Sequence, residues 1–254
     1  MINIPSLETN IVNYCNNHCA SCNHMTVFTT KPVNLEPEDL WSDLLKLAPM
    51  LHAERFVLIG GEPTLHPDLE IMMRVVKESG ISDRLVMYTN GFHLLSMSSR
   101  NWEMLDELFI TLYPNSESKL GVNFEANVNL KASELGLKVT WQRLDTFYPL
   151  FTRSDRTPSD TQNTFDNCPY ARMCRIIEDG YIYNCPQSTF FPDKIMGLPA
   201  KTDGLRFDVA TEAQLAEHLF RQSPLRSCAR CNYHGSKPWQ QSDNLQAWMK
   251  ESSE

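Results

Sequence analysis

The chain has 254 residues, 42% hydrophobic and 21% charged, a balance that excludes wholesale disorder and collagen-like or coiled-coil rods. At ~150 residues per domain it provides one large domain, or one domain with a small appendage. Lys plus Arg number 23 against 31 Asp plus Glu, a net charge of -8, and with no dense basic run to track a phosphate backbone the expectation is no nucleic-acid partner. The longest apolar runs, such as Phe56 to Ile59 and Leu108 to Tyr113, are far short of the ~18 residues of a membrane span. No Lys or Arg precedes Lys31 and no long apolar run follows Met1, so no secretory signal is read and the expected location is the cytoplasm.

Short β-type runs alternate with helical patterns through the first part of the chain, as βα units do. Leu7 to Tyr14 is the first predicted strand. Glu36-Pro37-Glu38-Asp39 opens a helix, with Pro in the first turn and acids at the positive dipole end, and Leu40, Leu44, Leu47 and Leu51 on one face. Arg55 to Gly60 is the second strand. A helix from about Pro67 to Ser79 turns Leu69, Met72, Met73 and Val76 inward and stops at Gly80. Arg84 to Thr89 and Leu108 to Tyr113 are the third and fourth strands, and a weaker helix around Lys119 to Leu135 leads into a fifth, Leu137 to Trp141. Trp41 and Phe124 read as core.

Residues 146 to 166, rich in Thr, Ser, Asp and Pro, read as a linker or covering loop. Beyond them Cys174 to Glu178 and Tyr181 to Cys185 flank Asp179-Gly180, a hairpin signal because a type I′ turn needs positive φ. Thr211-Glu212-Ala213-Gln214 is a capping box that starts a helix to about Phe220. The pattern is a partial parallel barrel, in which chemistry gathers at the C-terminal ends of the strands. Those ends carry Cys15, Gly60-Gly61-Glu62, Thr89-Asn90 and Tyr113.

The eight cysteines fall into two groups, and in a reducing compartment thiolates serve metal ligation or catalysis. Cys15-Asn-Asn-His-Cys19-Ala-Ser-Cys22 puts three thiolates on one loop with no obvious fourth ligand. Structural zinc takes four protein ligands, so a zinc reading must borrow His18 or His24. A [4Fe-4S] cube tolerates the shortage, leaving one iron for an exogenous chelating ligand. Taken singly, the trio also fits a zinc half-site, and Gly-Gly-Glu-Pro also fits a plain turn.

Together these residues resemble the radical S-adenosylmethionine (SAM) family, whose CX3CX2C motif follows the first strand and whose GGEP motif is matched by Gly60-Gly61-Glu62-Pro63. The resemblance implies a [4Fe-4S] cluster on Cys15, Cys19 and Cys22 whose unique iron chelates SAM. It also implies that Glu62 and the backbone near Gly61 hold the SAM ammonium, and that Thr89-Asn90 contacts SAM from a later strand end. The family usually has an aromatic residue before the third cysteine. Here that position is Ser21, so adenine packing must come from elsewhere, with Tyr14 and Phe28 as candidate substitutes.

Cys168, Gly180 and Cys185, then Cys228-Ala-Arg-Cys231, resemble the pattern of SPASM and twitch domains, and no cysteine follows Cys231, as in the shorter twitch type. The implied auxiliary [4Fe-4S] cluster takes Cys168, Cys185, Cys228 and Cys231, with Cys174 as a spare thiol, a buried small hydrophobe or an alternative ligand. A four-cysteine zinc ribbon is the bland alternative. The implied architecture is an α/β partial (β/α) TIM-type barrel of about five to six parallel strands over 1–155. A twitch domain with a β-hairpin and a helix follows over 156–236, then a C-terminal tail, 237–254.

Size and motif spacing resemble the radical SAM dehydrogenases of the 2-deoxy-scyllo-inosamine type, which oxidise a secondary alcohol of an aminocyclitol. The implied function is reductive cleavage of SAM to a 5′-deoxyadenosyl radical that abstracts hydrogen from a small polar substrate. The implied electron donor is a flavodoxin or ferredoxin. Epimerases, dehydratases and peptide-modifying maturases use the same parts and stay open, as does a non-enzymatic zinc-binding module. Arg143, at the end of the fifth strand, and Arg153, in the following loop, are candidate substrate contacts by position alone. Tyr113 either shapes the pocket or packs the barrel top, and His66 and His93 read as capping or loop residues.

Overall fold

A computed structural model describes residues 1–29, 31–242 and 244–252, the last two of these by backbone alone. The elements in chain order are β1 (Ile2–Ile4), β2 (Leu7–Val12), α1 (Pro37–Leu47), β3 (Leu51–Ala53), β4 (Phe56–Gly60), α2 (Leu69–Ser79), β5 (Leu85–Thr89), α3 (Ser99–Met104), β6 (Glu107–Leu112), α4 (Ser116–Leu120), α5 (Phe124–Leu135), β7 (Lys138–Arg143) and β8 (Thr146–Phe147). After these come α6 (Pro158–Asp166), α7 (Tyr170–Met173), β9 (Ile176–Glu178), β10 (Tyr181–Tyr183), β11 (Leu205–Arg206), α8 (Glu212–Leu219), β12 (Lys237–Pro238) and α9 (Leu245–Ser252).

The five strands read from the sequence are β2, β4, β5, β6 and β7, paired in parallel in that order. They make an open parallel α/β sheet, a partial barrel. Alternate residues Leu7 and Ile11, Phe56 and Leu58, Leu85 and Met87, and Leu108 and Ile110 join one core. Helical side chains Leu40, Leu44, Met72, Val76, Trp102 and Val128 fill its other half, as the two-residue strand period and the i, i+4 helix period require. Gly80 and Gly136 end α2 and α5 in the left-handed conformation, at φ 66° and 65°.

Several expectations need correction. The single helix around Lys119 to Leu135 is two, because Gly121 at φ 79° ends α4 before α5 begins. The stretch 146–166 holds β8 and α6, not only loop; α6 opens with Pro158 while Thr157 Oγ1 accepts from the Asp160 N–H at 3.2 Å. Asp179 and Gly180 do turn at φ 50° and 78°, but the hairpin does not stand apart from the barrel sheet. β9 pairs in parallel with β2, Glu8 against Ile176 and Thr9 against Ile177, and the sheet runs β11-β10-β9-β2-β4-β5-β6-β7. Pairing covers the otherwise bare edge of β2, so hydrogen bonding crosses the boundary read at 155/156. The segment read as a tail holds β12 and α9; positions 243 and 253–254 of it lie outside the described residues.

A second, smaller core joins distant parts: Met25 from the first cysteine loop, Leu150 and Phe151, Phe191, Cys231, and Trp248 of α9. Trp248 is fully buried, 6.0 Å from the Phe151 ring and 5.3 Å from Phe28.

Candidate active site

The first cysteine loop leaves the C-terminal end of β2 and is tied to the neighbouring strand ends. Gly61 N–H donates to Val12 O at 2.9 Å and Glu62 N–H to Tyr14 O at 3.0 Å. These contacts need glycine: a Cβ on Gly61 would lie 1.8 Å from Tyr14 O, and one on Gly60, at φ 151°, 2.4 Å from Val12 O. From the end of β5, Asn90 Nδ2 donates to Asn16 Oδ1 at 2.8 Å and approaches Cys15 Sγ at 3.6 Å. Beyond β6, Asn115 Nδ2 donates to Asn17 Oδ1 at 2.8 Å.

Cys15, Cys19 and Cys22 lie within electrostatic reach of one another. Burial pushes the Cys15 thiol up to about 12, with Cys22 and Glu62 adding to the rise. Cys19 and Cys22 are also raised, first by burial, and Cys19 additionally by its two partner sulfurs. N–H groups point at the sulfurs: Asn17 N at 3.3 Å from Cys15 Sγ, Asn17 Nδ2 at 3.4 Å from Cys19 Sγ, and the His24, Thr26 and Met25 backbones on Cys22. A trio of sulfurs, dry and surrounded by donors, suits thiolates held by a polycationic iron–sulfur core, which offsets both burial and mutual repulsion. Zinc fits less well. His18 is exposed and His24 pairs with Asn10 Oδ1 at 3.2 Å, so neither histidine is set as a fourth ligand.

Glu62 is 1% exposed. Its Oε1 accepts from Thr64 N at 3.1 Å, Thr64 Oγ1 at 2.6 Å and Thr89 Oγ1 at 2.6 Å, and its Oε2 from Asn90 N at 2.8 Å. The carboxylate thus braces β4 against β5 while Oε2 keeps acceptor capacity. Burial raises its pKa, and these donors oppose the rise. Pro63 opens the following one-turn helix.

A cleft of ≈ 620 Å³ opens against Val12, His24, Phe28, Gly60 and Gly61. Of the two aromatic substitutes, Tyr14 spends its hydroxyl on Asn34 Oδ1 at 2.8 Å and Leu65 O at 3.2 Å, and Phe28 packs edge-on to Trp248. Ser21, in the usual aromatic position, is buried at φ 59°. Other rings gather near the trio: Tyr113 lies 6.1 Å from Phe147 and 6.1 Å from Trp239, and its hydroxyl is raised by burial and then by the charges of Cys19, Cys22, Cys15 and Glu62. Phe147 and Trp239 went unread in the sequence; no motif marks them, and folding alone brings them here.

Cys168, Cys185, Cys228 and Cys231 lie within electrostatic reach of one another. Cys185 is pushed well up by burial and then by Cys231, Cys168 and Cys228, while burial carries Cys228 and Cys231 to about 12. Backbone groups of Ala171 and Tyr170 serve Cys168, that of Gln187 serves Cys185, and that of Tyr233 serves Cys231. Cys174 is placed differently. After burial, its surroundings are set by Glu8, Arg55 and Arg175, with Cys168 the weakest influence.

Arg143 is exposed, pairs with Glu125 at 2.5 Å, and lines a separate cavity of ≈ 460 Å³ with Tyr113, Phe124 and Asp145. Arg153 is exposed in the following loop. His66 is buried and structural, its Nε2 bonded to Leu35 O at 2.9 Å and its Nδ1 accepting from Asp68 N at 3.0 Å.

An open parallel sheet with a sulfur trio at its C-terminal mouth defines a class, and residues 9–111 match the model of the Radical SAM superfamily. Over these residues the chain is similar to the radical SAM superfamily, whose members use SAM and a [4Fe-4S] cluster. A GTP 3',8-cyclase of Aquifex aeolicus (strain VF5) is 31% identical over 147 residues, 52% of this chain and 45% of that protein. A probable GTP 3',8-cyclase of Metallosphaera sedula is 28% identical over 117 residues, 46% and 36%. The chain therefore spans less than half the length of these curated relatives. Among solved structures, BtrN in complex with AdoMet and 2-DOIA superposes with TM-score 0.52 at 15% identity, covering 86% of this chain and 82% of that one. The anSMEcpe structure with bound AdoMet gives 0.51 at 15%, covering 84% and 77%. At such identities the likeness concerns the fold. Among the described residues no helix is long and apolar enough to cross a membrane.

Proposed function

We propose that the chain is a radical SAM enzyme acting on a small polar substrate, with two-electron oxidation of a secondary alcohol as its reaction. The observation that carries the radical reading is the placement of Cys15, Cys19 and Cys22 beside Gly60-Gly61-Glu62 and Thr89-Asn90 at one sheet mouth. When bound there, a [4Fe-4S] cluster carrying SAM supplies one electron and a carbon radical able to take a hydrogen atom. The chain's own part is to hold and shield. Asn17 and Asn90 direct N–H groups at the sulfurs, Glu62 offers an acceptor for an ammonium, and Tyr113, Phe147 and Trp239 form an aromatic wall.

Cys168, Cys185, Cys228 and Cys231 would hold a second [4Fe-4S] cluster, an electron acceptor of the sort an alcohol oxidation requires. Cys174, set toward Glu8 and Arg55, stays outside that set. A flavodoxin or ferredoxin is the proposed electron donor. Alcohol oxidation is favoured by the motif spacing of the two cysteine groups. A second reading, radical cyclisation of a purine nucleotide, is favoured by the 31% identity to a GTP 3',8-cyclase over about half the chain.

Anaerobically purified protein should carry about eight iron and eight sulfide per chain. With SAM and reductant it should release 5′-deoxyadenosine, and Cys19→Ala should abolish that release. Cys228→Ala should lose about half the iron and keep the first site. Zinc without sulfide would overturn the reading. Deuterated aminocyclitols, sugars and GTP then separate the two reactions by which label reaches 5′-deoxyadenosine.

A further inference from the structure

The concave face of the sheet carries chemistry that the cysteine sites do not use. On each of β2, β4, β5, β6 and β7 the side chains of one face join the core with the helices, so the alternate residues look the other way. Register lines these up in rows. Glu8 lies against Val57, Val57 against Val86, Val86 against Glu107, and Glu107 against Lys138. One step nearer the C-terminal ends, the next row runs Asn10, Ile59, Tyr88, Phe109 and Thr140.

The two rows differ in cover. Glu8, Val57, Val86 and Glu107 are buried, none more than 8% exposed. All five residues of the next row are half-buried, and in β2, β4 and β5 that row holds the only position of the strand that is not buried. The sheet therefore holds an open groove with a closed floor. Tyr88 and Phe109 stack in its middle, ring centroids 4.6 Å apart. Along β5, Tyr88 stands two residues before Asn90, about 7 Å away in an extended strand, and Asn90 bonds the first cysteine loop through Asn16. A ring lying in the groove sits directly below that loop.

The polar groups of the groove are neutral. Among the described residues, neither the Tyr88 nor the Thr140 hydroxyl is tied by a hydrogen bond. One row higher, Thr111 Oγ1 donates to Gln142 Oε1 at 3.4 Å, which leaves the Gln142 N–H groups for another acceptor. Ionic side chains lie at the floor, where Glu107 is paired with both Arg84 and Lys138, and Arg55 Nε donates to Ser6 Oγ at 3.3 Å. A polyphosphate calls for Arg or Lys donors around it. Ring hydroxyls need only neutral partners, and the C–H surface of such a ring suits an aromatic pair.

We propose that this groove seats the substrate, and that it takes a phosphate-free hydroxylated ring whose hydroxyl groups bond to Tyr88 and Thr140 while its C–H surface rests on Tyr88 and Phe109. The inference rests on the proposed function and narrows it, because the same groove disfavours a nucleoside triphosphate.

The test uses the full chain, purified anaerobically and supplied with SAM but no reductant, so that binding is read without turnover. Calorimetric titration with 2-deoxy-scyllo-inosamine should show a single site, and GTP should not displace the cyclitol. Tyr88→Phe keeps the ring on Phe109 and removes the hydroxyl. Its iron content should match the unmodified protein, and its dissociation constant for the cyclitol should rise about fivefold, the worth of one neutral hydrogen bond. With reductant added, KM should rise by a similar factor. An unchanged dissociation constant with intact iron overturns the proposal, as does displacement of the cyclitol by GTP.

Should Tyr88→Phe lose iron, Thr140→Val on the edge strand decides by the same measurement. Failure of the cyclitol to bind unmodified protein that still releases 5′-deoxyadenosine with SAM and reductant overturns the groove assignment alone. Absence of that release overturns the radical reading beneath it.

Discussion

Two buried carboxylates illustrate how much a side chain's neighbours decide. Glu62 is met by four donors, whereas Glu8 is 5% exposed and leaves Oε1 with no partner. Burial pushes the Glu8 carboxyl up to about 7, opposed by Arg55. Tyr88 and Cys174 share its surroundings. Between about 4.5 and 7 the folded chain keeps Glu8 protonated while the unfolded chain ionises it, so stability falls as pH rises through that window and then levels off. Glu8→Gln should flatten that slope and leave the protein on the order of 2–3 kcal/mol more stable above pH 7. Denaturation midpoints at pH 5 and pH 7.5 check this; a slope like that of the unmodified protein would refute it. The sequence shows Glu8 inside a strand, but its unpartnered oxygen is set by side chains from other elements.

At the scale of elements, the close passage of the β4 end beneath the cysteine loop carries the site. Gly61→Ala would drive a methyl group into Tyr14 O, and the backbone must give way. Expected are a loss of about 1–3 kcal/mol and a lowered iron content confined to the first cysteine group, checked by thermal denaturation and iron analysis. Normal iron and stability together would contradict the geometry. The parallel strands were legible because apolar alternation is a local signal; β2, β4, β5, β6 and β7 differ from their readings only at their ends. α6 was missed although Thr157-Pro158-Ser159-Asp160 carries the start signals that marked α1, because its polar composition outweighed them. The sheet position of the hairpin was not legible, since strand pairing depends on which edge is free.

For the whole molecule, α9 closes the structure over both cysteine groups. Trp248 fills the core shared by Met25 and Cys231, so Trp248→Ala should cost about 3–5 kcal/mol and loosen both groups together. Leu245→Ala, at a position 40% exposed, should cost less than about 0.5 kcal/mol. Urea denaturation of the two variants, with iron retention measured alongside, distinguishes them; equal losses would mean that α9 does not seal this core.

By itself the sequence determined the βα order, the two cysteine groups and the strand-end motifs, because turn chemistry, apolar period and ligand spacing act over a few residues. Only the tertiary structure decided that Ile176 pairs beside Glu8, that Glu8, Arg55 and Arg175 surround Cys174, and that residues 240–242 run along the first cysteine loop. These are contacts between segments distant along the chain, fixed by packing and by the need to cover a bare strand edge, and no local pattern encodes them.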